Sequence, residues 1–179
     1  IDVFPQENAL ANIIGEKTGN GGAPYNVLKA LALMGTSIPL EGIGMIGDDA
    51  VGRQILEDCK SLSIVTRQLR QTGACATSFT DVMTVASTGR RTFFHHRGAN
   101  SLLKVTDFDL TQTKAKLFHL GYLLLLDGLD QVDAQGISEA SKVLKAAVEQ
   151  GLITSVDLVS EESDRYTSVI PSAIPYIDI

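Results

Sequence analysis

GGAPYNVLKALALMGTSIPLEGIGMIGDDAVG, running from Gly21 to Gly52, spells out a helix, a strand and the start of a second helix. The Gly21-Gly22-Ala23-Pro24 turn introduces the first helix, since Pro24 suits a first turn where its missing N–H is no loss. Val27, Leu28, Leu31 and Met34 recur at helical spacing and predict one buried face, with Gly35 placed to end the helix in a left-handed cap. Ile38 to Ile46 then reads as a buried strand with Pro39 near its start. Asp48 or Asp49 can cap a second helix whose face is Val51, Ile55, Cys59 and Leu62.

The same alternation continues downstream. Leu117 to Leu126 is a nearly apolar run, broken by His119, Gly121 and Tyr122, and reads as a buried strand. Asp133 is placed to cap a long helix with the face Ile137, Ala140, Leu144, Ala147 and Val148. Leu152 to Leu158 is the next strand, and a short helix near Ser160 to Val169 is expected to end before Pro171. Continuous apolar strands alternating with helices predict an α/β fold, a parallel sheet covered on both faces. The exception lies between Thr77 and His96, where runs of Thr, Val and Phe flank Ser87-Thr88-Gly89 as in an antiparallel hairpin. With the polar segment 6–20, read as a loop or short strands, it is expected to form a small separate sheet. Ile1-Asp2-Val3 looks like the tail of a strand and Ile177-Asp178-Ile179 like the beginning of one, so the chain is expected to be a piece of something longer.

Composition narrows the function. Of the 179 residues 44% are apolar and 20% charged, which suits a globular domain with a real core and excludes a disordered tail or a fibre. Fifteen basic against twenty-one acidic residues leave a net charge of −6, so neither nucleic acid nor an anionic membrane surface is an expected partner. No apolar run approaches the ~20 residues of a membrane span, and no positive segment precedes an apolar one as in a secretory leader. Two cysteines form no disulfide framework, and a cytoplasmic location is expected.

The chemistry concentrates at Gly21-Gly22-Ala23-Pro24-Tyr25-Asn26. Two adjacent glycines let backbone N–H groups approach a ligand, and the helix start aims free donors at the same point. Asn26 adds a donor and an acceptor, suited to a hydroxyl-rich ligand. An ordinary glycine turn before a helix has the same composition, so the motif stays open at this level. Other patterns carry less. Gly42-Ile43-Gly44-Met45-Ile46-Gly47 fits a dinucleotide fingerprint, but a helix occupies the interval in which the required acidic strand end would fall. Gly15-Glu16-Lys17-Thr18 resembles the end of a P-loop, but Leu10 stands where the first glycine is needed. His95 and His96 are adjacent and point to opposite faces of a strand, His119 reads as a satisfied core histidine, and no Cys/His spacing suggests zinc.

Taken together, GGAPYNVLKALALMG and GIGMIGDDAVG resemble the first signature region of the PfkB, or ribokinase-like, carbohydrate kinases. Ser87 to Phe93 resembles that family's lid hairpin, and Arg97-Gly98-Ala99-Asn100 the segment closing over the sugar. Phe118-His119-Leu120-Gly121, Thr154-Ser155-Val156-Asp157 and Ile174 to Asp178 are similar to its sheet strands in order, so the likeness covers almost the whole chain. It implies a three-layer sandwich with a mostly parallel sheet and a small β-lid, formed by segments near 3–20 and 76–97, the C-terminal part being absent. It also implies transfer of the γ-phosphate of ATP, with Mg²⁺, to a sugar hydroxyl. Gly21, Gly22 and Asn26 match the sugar-contacting residues, Asp2 stands where a sugar-binding Asp is expected, and the lid can form a homodimer contact. Arg97 either pairs with an anionic or hydroxylated sugar or is a solvated lid residue.

The chain also departs from the pattern. The family's Asp-x-x-Gly-Ala-Gly-Asp block, which holds the general-base Asp and the anion hole, is absent, as is its Asn-x-x-Glu segment. Asp157-Leu158-Val159-Ser160-Glu161 stands where many members carry Asp-x-Asn-x-Arg. Asp48 and Asp49 match a structural position and do not replace the base. The expectation is therefore a fructokinase-like or other sugar kinase portion, inactive alone, with no catalytic residue or metal ligand of its own. A non-catalytic relative that binds sugar or pairs through its lid is the alternative.

Overall fold

The computed structural model describes residues 1–179. Its elements are α1 (Ala23–Leu33), β1 (Glu41–Gly47), α2 (Ala50–Ser61), β2 (Val65–Thr72), β3 (Phe79–Thr84), β4 (Arg91–His96), β5 (Leu117–Leu123), α3 (Glu139–Glu149), β6 (Ile153–Leu158) and α4 (Tyr166–Ala173), with short 3-10 turns between them. β1 pairs with β2 and β5 with β6, both in parallel, while β3 and β4 form an antiparallel hairpin.

Period-two alternation assigns the faces of the parallel ladders. Ile43, Met45, Phe118, Leu120 and Val156 join the main core, which α3 fills with Ala140, Val143, Leu144 and Ala147, and α4 with Val169 and Ala173. The intervening residues look the other way. A Cβ on Gly42 would meet Leu28 of α1 at 3.8 Å, and one on Gly121 would meet Pro24 at 3.4 Å. The glycines of β1 and β5 thus let α1 lie close to the strands. A second, smaller core of Leu40, Cys59 and Ile64 seals that side. Helices therefore cover both faces, the α/β layering expected from the alternation.

Several boundaries moved for physical reasons. The inner face of α1 is Tyr25, Leu28, Leu31 and Ala32, packed on the smaller core. Val27 and Met34, expected to be buried, are 45% and 80% exposed. At about 100° per residue they lie roughly a third of a turn from the centre of that face. Gly35, at φ +70, ends α1 as predicted: its N–H bonds to the Ala32 carbonyl and that of Thr36 to Leu31, closing a Schellman motif. Ser138, not Asp133, caps α3, its hydroxyl accepting the Ser141 N–H at 3.1 Å. Asp133 instead accepts the Gln135 and Ile137 N–H groups and closes the preceding loop, which leaves Ile137 outside the helix. α4 begins later than expected and carries Pro171 inside it, near its end, at the cost of the N–H that would bond the Thr167 carbonyl. β2 has no apolar alternation and was not anticipated; its buried Gln68 bonds the backbone of Asp109 through both ends of the amide. Residues 3–20 hold no strand.

Candidate functional site

Gly22 is the N-cap of α1 at φ +91 and ψ 148, a conformation open essentially to glycine alone. No side chain caps the helix, so its first N–H groups face outward unsatisfied. A Cβ on Gly21 or Gly22 would meet nothing within 4 Å, so the turn borders open space. Asn26 sits on the first turn of α1, exposed, with its side-chain amide unbonded and only its backbone N–H engaged, by Gly22. Beneath the turn lies the end of β5. His119 bonds Ser155 through Nδ1 at 3.1 Å, but its buried Nε2 has no partner, so it is only half satisfied, contrary to expectation.

The other expected site residues lie elsewhere. The amino group of Ile1 donates to the Thr84 carbonyl and the Ala86 N–H to the Ile1 carbonyl, which places Asp2, exposed and unpaired, beside the far end of the hairpin. Arg97, at the hairpin's exit, binds Asp127 at 2.8 Å and approaches Glu161 at 3.7 Å. Gly21, Gly22 and Asn26 thus share one turn, whereas no hydrogen bond or ion pair links Asp2 or Arg97 to it.

Asp49 explains the GIGMIGDDAVG motif without any ligand. Its carboxylate caps α2 by accepting the Gly52 N–H at 2.7 Å, and it also accepts the Thr77 N–H and hydroxyl at 2.7 and 2.8 Å. Thr77 in turn accepts the Gly47 N–H at 2.9 Å. These bonds, led by the Thr77 N–H, hold the Asp49 carboxyl below the usual carboxylate range. The charged form is the one favoured by folding, so its contribution is full above the unfolded value near pH 4 and is lost as pH falls through the lower folded value. Asp49→Asn should therefore lower Tm at pH 7 and flatten the loss of Tm on acidification below about pH 4; parallel wild-type and variant curves in a pH-resolved thermal melt would contradict this. Asp48 makes only an exposed pair with Arg53 at 3.5 Å.

The sequence reading missed a charge cluster at the strand ends. Asp130, buried, accepts the N–H groups of Leu124 and Leu126 at 2.9 and 3.0 Å, and burial raises its pKa despite them. Arg165 donates to the Leu124 carbonyl at 2.9 Å, and Glu161, bound to it, has its pKa lowered. The available signal was the Asp127-Gly128-Leu129-Asp130 step directly after a buried strand.

The sequence profile described as pfkB family carbohydrate kinase matches residues 5–179. The chain belongs to the pfkB family of carbohydrate kinases. Solved structures agree on the fold. A ribokinase from Giardia lamblia superposes with a TM-score of 0.71 at 20% identity, over 92% of this chain and 48% of its own. A fructokinase from Xylella fastidiosa with bound ATP gives 0.67 at 24% identity, over 88% and 50%. An apo fructokinase from Vibrio cholerae gives 0.66 at 20% identity, over 88% and 53%. This pfkB chain thus spans about half the length of the solved structures it matches. It is α/β and ribokinase-like, and no helix in it is long and apolar enough to cross a membrane.

Proposed function

We propose that the chain supplies the sugar-binding half of an ATP-dependent carbohydrate kinase, phosphorylating a neutral hexose or pentose of the fructose or ribose type in the cytoplasm. The observation that carries this reading is the open turn: space above Gly21 and Gly22, free N–H groups at the start of α1 and the unbonded amide of Asn26 converge where a polyol can replace water. Asn26 holds sugar hydroxyls, the glycines admit the ring, and Asp2 reaches it once the hairpin is drawn over as a lid. Segments 3–20 and 76–97 form that lid. Excluding water there protects a reactive phosphoryl donor from hydrolysis. The lid's exposed Val82, Phe93 and Phe94 suit a homodimer contact.

ATP and Mg²⁺ are held outside these residues. Within 1–179 no three His, Cys, Asp or Glu side chains gather to take a metal ion, and the carboxylate beside the glycine turn, Asp58, is engaged by the Asn20 amide. On this reading the chain alone is expected to be inactive, since it lacks the family's Asp-x-x-Gly-Ala-Gly-Asp block. Calorimetry of the full-length protein with a panel of neutral hexoses and pentoses, beside an ATP-consumption assay, tests the reading. Asn26→Ala should weaken the preferred sugar by about 1–3 kcal/mol and leave Tm unchanged; equal affinity in wild type and variant would remove Asn26 from the site. Sugar binding without ATP turnover would favour the non-catalytic relative.

A further inference from the structure

The hairpin of β3 and β4 is held at its ends. Only Met83 and His95 on its strands are partly buried, so little apolar packing ties it to the body. Its entry is fixed by Thr77 on Asp49 and by Ser78, whose hydroxyl donates to the Arg97 carbonyl at 2.6 Å and accepts the Asn100 N–H at 3.1 Å. Its exit is held differently. The Arg97 guanidinium crosses to the loop after β5, meeting Asp127 at 2.8 Å and the Leu124 carbonyl at 3.5 Å, and to the loop after β6, where Glu161 lies at 3.7 Å. That shelf is itself stiff, because Asp130 pins the Leu124 and Leu126 N–H groups and Arg165 braces the same Leu124 carbonyl. Leu124 is three residues past Gly121, where an added Cβ would meet Pro24 of the glycine turn at 3.4 Å. Three residues span at most about 10 Å, so the shelf and the glycine turn lie near one end of β5.

The geometry points to Arg97 as a positioning residue: through Asp127 and Glu161 it clamps the exit of the lid hairpin to the ends of β5 and β6, and so sets where the lid stands over the glycine turn. Asp127, Glu161 and Asp130 together already balance Arg97 and its neighbour Arg165, so Arg97 acts through the clamp and not as a receptor for an acidic sugar. The lid's role rests on the sugar-site reading above; the clamp itself does not.

Millisecond-to-second amide exchange on the full-length protein, with Arg97→Met, Asp127→Asn and the double variant, tests the two separately. Arg97→Met should speed exchange in Phe79–Thr84 and Arg91–His96 about fivefold, the scale of one partly exposed ion pair, while β5 and α3 keep their protection. The double variant should be no worse than Arg97→Met, because the pair works as a unit. Fructose and ribose affinity, measured by calorimetry, should fall in step with hairpin protection. An unchanged hairpin, equal loss in α3, or additive effects of the two single changes would overturn the clamp. Altered hairpin exchange with unaltered sugar affinity would keep the clamp and overturn its part in positioning the lid. Failure of wild type to bind any neutral sugar would overturn the sugar-site reading while hairpin exchange still judged the clamp.

Discussion

Gly52→Ala should cost about 3 kcal/mol of unfolding free energy, at the upper end of what one extra methyl does in a tight site. A Cβ there would stand 2.2 Å from the Gly47 carbonyl oxygen and 3.0 Å from the Thr77 hydroxyl. Neither side can retreat. Gly47 ends β1 in register with Thr72 of β2, and its N–H is bound to Thr77. The Gly52 N–H is fixed on the Asp49 carboxylate at 2.7 Å. The new methyl must part α2 from β1 and pull Thr77, at the entry of the β3–β4 hairpin, out of place. Gly44→Ala is the matched contrast, since its Cβ would meet only the flexible end of Leu69 at 3.2 Å. In urea titrations the midpoint of Gly52→Ala should drop well below wild type and that of Gly44→Ala much less. Equal midpoints for the two variants would show that the corner is looser than its bonds imply.

That corner also shows what the sequence carries and what it hides. An Asp cap and the residues Ile55, Cys59 and Leu62 of α2 were readable because each obeys a local rule, a cap before a helix and a period of 3.6, although Val51, expected on the same face, is 47% exposed. The reason for the glycines was not readable, since it lies in Thr77, which arrives from elsewhere in the chain to share their space. Local rules equally exposed the hairpin, with its turn at Gly89, and the Schellman end of α1. They failed where tertiary contacts decide. Gln68 is buried because the backbone of Asp109 meets it, and a polar strand such as β2 has no pattern to announce this. Ser138 outcompetes Asp133 as the cap of α3 because it also lies beside Ser141 and Ser172, a three-hydroxyl cluster joining α3 to α4. At the candidate site, the turn of Gly21, Gly22 and Asn26 was legible as a motif. Arg97 was legible only as a charge, because its partners Asp127 and Glu161 are 30 and 64 residues further along.

Gly21→Ala and Gly22→Val should separate the two jobs that a paired glycine can do. Gly22 stands at φ +91, so valine there is strained by about 1–3 kcal/mol whether or not a sugar is bound. Gly22→Val should therefore lose both stability and sugar binding, and its loss of binding alone would not locate the ligand. Gly21 has no left-handed φ and no neighbour within 4 Å of its missing Cβ. Alanine at 21 thus leaves the folded chain without strain or clash, and its only target is whatever enters the open space. If a sugar ring rests there, Gly21→Ala should keep the wild-type Tm and lose about tenfold or more in affinity by calorimetry, the cost of forcing one methyl into a filled contact. Wild-type affinity in Gly21→Ala would mean that the space above the turn stays empty when sugar binds, and that Gly22 is kept for its backbone alone.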